Sequence, residues 1–137
     1  MAWFNATPKP DPRSRRGQRE EPAAVLSRGE QRKRDGLALS MPPNPAPHII
    51  HRLVEIGLTE AAGMGAAPIS WAAIHGWQQV TGVRLAPWEG RLLRKLSNAY
   101  LVESRRAEAE TCPPPWRMVV TAREREVEER RLRALLG

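Results

Sequence analysis

Eight of the thirteen prolines in this chain of 137 residues stand before residue 48, and three more are consecutive at Pro113, Pro114 and Pro115. Proline fixes φ and removes a backbone donor, so neither stretch can run as a continuous helix or a central strand. Regular structure is thereby concentrated between them and after Pro115. Pro68 and Pro87 then cut the middle into helix-length pieces. The pattern predicts an all-α fold: a small bundle of three core helices, a disordered Pro/Arg-rich N-terminal arm and an extra polar C-terminal helix. The compact part should hold fewer than about 100 residues.

Three segments follow: a flexible basic arm over 1–46, a helical core module over 47–110, and a Pro-rich break with a last helix over 111–137. The arm carries RSRRGQR and RGEQRKRD, and with so few apolar residues it cannot offset the entropy of ordering. Its cations Arg13, Arg15, Arg16, Arg19, Arg32, Lys33 and Arg34 are candidates for nonspecific phosphate contact. PAAVLSRGEQRKR is expected to form at most a short helix on a partner. The regular pattern begins only at MPPNPAPHIIHRLVEIG, so Met41 is an alternative start.

In the middle segment, Pro47 suits a first helical position, and Ile49, Ile50, Leu53, Val54 and Leu58 recur at helical spacing. This predicts a helix over 47–61, ended by Gly63 and Gly65, with GMGAAP as a flexible link. Ser70 is the expected N-cap of a second helix over 70–80, stapled by Ile69 and Ile74 and stopped at Gly82. Pro87 opens a third over 87–107, in which Trp88, Leu92, Leu96 and Tyr100 form an i, i+4 row. A fourth helix over 122–136 has a thin apolar stripe of Val127, Leu132, Leu135 and Leu136, and is expected to extend rather than dock.

Charge bears on partners rather than fold. The net +7 is distributed as +4 up to Pro47, +1 from there to Cys112 and +2 beyond, so the middle is close to neutral. Cys112 is the single cysteine, which rules out an internal disulfide and a cysteine-rich metal site. No apolar run reaches the roughly 18 residues of a membrane span, and the first residues lack the order of a secretory signal. His48, His51 and Glu55 share a helical register, but zinc would need a further ligand there, and they read as solvent-facing or capping groups. Aspartate occurs only at Asp11 and Asp35, and no phosphate-cradling glycine loop is present. No catalytic residue, metal or cofactor is therefore expected, and the chain does not read as an enzyme. Arg91, Arg94 and Lys95 on the third helix invite a helix-turn-helix reading, against which stand the long connection TGVRLAP and the neutral middle segment.

Trp71, Trp77 and Trp88 fall within eighteen positions of a chain with one tyrosine and one phenylalanine. One reading makes them the core, since each aromatic buries up to roughly 150–250 Å². The other leaves an indole in an exposed groove as a partner anchor, with Trp77 or Trp116 in that place.

The ordered series of P-I-S-W-x-x-I-x-x-W (Pro68 to Trp77), a glycine break, L-x-P-W-E (Leu85 to Glu89) and L-x-x-L-S-x-A-Y-L (Leu93 to Leu101) resembles the tail assembly chaperones of long-tailed bacteriophages and prophages, encoded beside the tape measure gene. The likeness covers about 65 of the 137 residues. It implies a non-enzymatic protein of the host bacterial cytoplasm that binds the tape measure protein, tail tube subunits or both during virion assembly. Self-association is compatible with it. Under that reading Trp71, Trp77, Trp88, Leu92, Leu96, Tyr100 and Trp116 line the partner groove. In many phages a chaperone domain precedes such a segment, whereas here a Pro- and Arg-rich arm does. Two alternatives remain open: a minor structural virion protein whose basic arm contacts neighbouring subunits or DNA, and a small helical DNA-binding regulator.

Overall fold

A computed structural model describes residues 1–13, 26–116 and 119–137. In chain order the elements are α1 (Ala2–Asn5), α2 (Arg28–Arg34), α3 (Pro47–Ile56), β1 (Glu60–Ala62), β2 (Gly65–Ala67), α4 (Trp71–Thr81), α5 (Pro87–Arg106) and α6 (Ala122–Leu136). They fall into two compact units. The first holds residues 43–106 with Met1–Ala2, and the second holds Trp3–Pro42 with Ala107–Gly137.

The expectation of an all-α fold is corrected by β1 and β2, which pair antiparallel with Glu60 opposite Ala67 and Ala62 opposite Gly65. The helix expected over 47–61 stops at Ile56 because Gly57 takes φ 110°, a conformation costly to residues with a Cβ. Its N–H still donates to the Leu53 carbonyl at 3.1 Å. The chain then turns back through Gly63, whose positive φ occupies the first loop position, where glycine sits in tight two-residue hairpins. What reads in sequence as a flexible link is therefore a short hairpin.

Glu60 on β1 joins this hairpin to α4. Its carboxylate accepts from the Ser70 N–H at 3.0 Å and from the Ser70 hydroxyl at 2.8 Å, while that hydroxyl accepts from the Ala73 N–H as the N-cap. At the other end of α4, Gly82 adopts the left-handed conformation expected of it, and the Gln78 side chain accepts from the Leu85 N–H at 2.8 Å. The loop into α5 is thus tied back to α4.

The core of the first unit is aliphatic: Ile49 and Leu53 from α3, Ile69 and Ile74 at α4, and Leu93 from α5, with Leu58, Leu85, Leu92 and Leu96 packed around them. This overturns the tryptophan-core reading, because Trp71 and Trp88 are 50% and 54% exposed and Trp77 is half-buried. The register of α5 supplies the reason. Its buried i, i+4 row is Glu89, Leu93, Ser97 and Leu101, one position beyond the row that the apolar pattern selects. Two of those four are polar, and both are satisfied. The Ser97 hydroxyl accepts from the Ile69 N–H at 2.9 Å and donates to the Leu58 carbonyl at 2.7 Å. Glu89 accepts from the Ala86 N–H at 2.8 Å and pairs with Arg52.

The Ala86 N–H and then Arg52 hold the Glu89 carboxyl below its ordinary value of 4.5. A lowered native value means stability that is full above the unfolded value and is lost as the pH falls through the native one. Glu89→Gln should therefore flatten the decline of the thermal midpoint below about pH 4.5, relative to the unsubstituted chain. Thermal scans at neutral and acid pH check this, and parallel declines would disprove the role.

The second unit has its own core of Trp3, Phe4, Ala6, Ala107 and Cys112, with Trp116 packed on it. Trp3, Phe4 and Trp116 meet edge to face, with ring centroids 5.3–6.2 Å apart. Trp3 Nε1 donates to the Cys112 carbonyl at 2.9 Å. Arg28 is buried; its guanidinium lies 4.9 Å from the Trp3 ring and donates to the carbonyls of Ala107 and Ala109. The disordered arm is thus corrected for its described residues, because a paired arginine and three aromatics give them a core to order on. The helix expected to extend is corrected too: α6 buries Val127, Glu124 pairs with Arg32 at 2.6 Å, and Arg131 pairs with Asp35.

Candidate functional site

The first unit places Trp71 at the start of α4, with its ring against Gly90 of α5. A Cβ at Gly90 would stand 3.5 Å from the indole, so the ring lies directly on the helix backbone. Arg94, one turn further along α5, lies 5.4 Å from the ring centroid, within cation–π range. Pro68, Trp71, Arg91, Arg94, Lys95 and Asn98 together line an open recess of about 330 Å³.

The electrostatics of this recess are one-sided. Arg91, Arg94 and Lys95 are all exposed, and among the described residues no carboxylate comes within ion-pair distance of any of them. Of the three, Arg94 acts through its field on Glu60 of β1. That carboxyl is held below its ordinary value chiefly by the Ser70 N–H and hydroxyl, and to a smaller extent by the field of Arg94. The chemistry on offer is an aromatic wall beside three cations, which suits an anionic and partly apolar ligand rather than bond-making.

The seven partner-binding candidates separate. Trp71 borders the recess, and Trp88 is exposed on the first turn of the same α5. Leu92 and Leu96 are packed against the aliphatic core, and Trp77 and Tyr100 are half-buried, so none of these four presents a full side chain. Trp116 belongs to the aromatic cluster of the second unit, where its buried Nε1 has no hydrogen-bond partner among the described residues.

Of the basic residues, Arg15, Arg16 and Arg19 lie outside the described residues. Arg13 is exposed, as are Lys33 and Arg34 at the end of α2. Arg32 is committed to Glu124 and to the Ala38 carbonyl. His48 Nε2 stands 3.9 Å from Glu89, and among the described residues no three His, Cys, Asp or Glu side chains gather as metal ligands. No helix among them is long and apolar enough to cross a membrane.

Sequence reasoning named Trp71 and the cations of the recess, but on separate grounds and not as one site. Asn98 carries no signal of its own, Pro68 reads only as a break in the chain, and only the position of α4 against α5 brings them together. Compared with known proteins, the chain matches no protein-family model, no curated protein and no solved structure.

Proposed function

We propose that this protein is a non-enzymatic tail assembly chaperone of a long-tailed bacteriophage or prophage, binding the tape measure protein, tail tube subunits or both in the host bacterial cytoplasm. One observation carries the reading beyond the resemblance of its motifs. Within the segment that resembles the chaperones, Trp71 and Trp88 are half-exposed, outside a core that is complete without them. An indole kept out of an aliphatic core is a large contact surface held ready, and tryptophan is enriched at the centres of protein interfaces. A helical module with such a face can cover the apolar side of a long helix that would otherwise aggregate.

The alternative of a structural virion protein loses its main support, since the described residues of the basic arm are built into a folded unit. Co-expression with the tape measure protein encoded beside it should give soluble co-purification, and mass spectrometry of purified virions should lack this chain. Failure to co-purify, with the chain found in virions, would overturn the proposal.

A further inference from the structure

Along the outer side of α5, six residues are exposed in series: Trp88, Arg91, Lys95, Asn98, Val102 and Arg105. Their separations alternate between three and four, the spacing that keeps one seam of a helix facing a second helix over many turns. The stripe is about 26 Å long at 1.5 Å per residue. The opposite side of α5 already has a buried row, Glu89, Leu93, Ser97 and Leu101, of which Leu93 belongs to the aliphatic core. This helix therefore has a buried inner row and an exposed outer one, of which Arg105 also donates to the Ala66 carbonyl at 3.4 Å.

The chemistry of the outer row selects its occupant. It holds three cations and no carboxylate, with Trp88 at its start and Val102 between Lys95 and Arg105, and Arg94 and Trp71 stand along its edge. A nucleic acid strand would demand an extended positive field. The residues from 48 to 111 have seven cations against six carboxylates, which supplies no such field. An amphipathic helix with acidic flanks fits both features, laying apolar residues on Trp88 and Val102 and carboxylates against Arg91, Lys95 and Arg105.

We infer that the outer row of α5 is the seat of an acidic amphipathic helix of the partner, with the Trp71 recess taking side chains from its edge. This rests on the helix-capture reading above and adds to it the place and the charge of what is captured.

The test uses the full chain and a fluorescently labelled model helix of about five turns, with a leucine seam flanked by glutamates, read by anisotropy. Arg91→Glu with Lys95→Glu should weaken binding about tenfold, as expected when two cross-helix pairs turn from attraction to repulsion. A lysine-flanked version of the helix should recover affinity for that double variant alone. The milder Arg91→Gln with Lys95→Gln, checked for unchanged circular dichroism, should weaken binding in the same direction. Equal binding of the glutamate- and lysine-flanked helices to the unsubstituted chain would overturn the inference, as would tighter binding of a labelled oligothymidine strand. The two readings fail separately. Peptide binding without tape measure co-purification removes the chaperone proposal, and co-purification unaffected by the double charge reversal removes the α5 seat.

Discussion

Leu93→Ala should destabilise the first unit by about 2–5 kcal/mol, the range for a leucine removed from a packed interior. Leu93 is fully buried among Ile49, Leu53, Ile69 and Ile74. Its loss leaves a cavity that α3, α4 and α5 would have to close together. Leu92→Ala is the informative companion, because Leu92 is only partly buried at the margin of the same core and should cost clearly less. Chemical denaturation of the two variants side by side measures the difference. Equal losses would mean that α5 is rotated from the register described, bringing the row of Trp88, Leu92 and Leu96 to the centre.

Trp3→Ala is the second large effect. It removes an indole that touches Phe4 and Trp116, donates to the Cys112 carbonyl and underlies the Arg28 guanidinium. Truncation of a buried tryptophan typically costs about 3–5 kcal/mol. Here the loss should appear at both sequence extremes of the second unit. Arg32 and Glu124, 92 residues apart, form one ion pair of this unit, so amide exchange should quicken in α2 and α6 together. Exchange that rises near Trp3 alone, with α6 unchanged, would show that the aromatic cluster does not hold the two segments.

The contrast between Leu92 and Leu93 also shows what could be read from the sequence. The helices were legible wherever their punctuation is local. Ser70, Gly82, Pro87 and the stretch after Pro115 place α4, α5 and α6 to within a residue or two. The face of α5 was not legible, because Glu89 and Ser97 stand in its buried row and periodicity rewards apolar residues alone. Their burial depends on partners supplied by Arg52, Ile69 and Leu58, which no window on α5 contains.

The hairpin escaped for a different reason. Glu60–Ala62 and Gly65–Ala67 have no β-branched or aromatic residue, so no strand preference announces them. The second unit was hidden by distance along the chain, since a Pro- and Arg-rich segment looks unable to order until Trp116 and Cys112 are brought to it. In the candidate site, the cations of α5 were visible, but the recess they share with Pro68 and Trp71 was not.

The second unit is assembled from segments on either side of the first, and this has a consequence for synthesis. Trp3 is joined to Cys112 by a hydrogen bond spanning 109 residues. At about 5–20 residues per second on the ribosome, its partners emerge roughly 5–20 s after it does. During that interval Trp3 and Phe4 have each other but not Trp116, while residues 43–106, which contain the whole aliphatic core, can already collapse. A folded middle shortens the free loop that remains to be closed, and every halving of a flexible loop spares about 0.6 kcal/mol of closure entropy. The middle of the chain can thus pack before Trp3 and Phe4 meet Cys112 and Trp116.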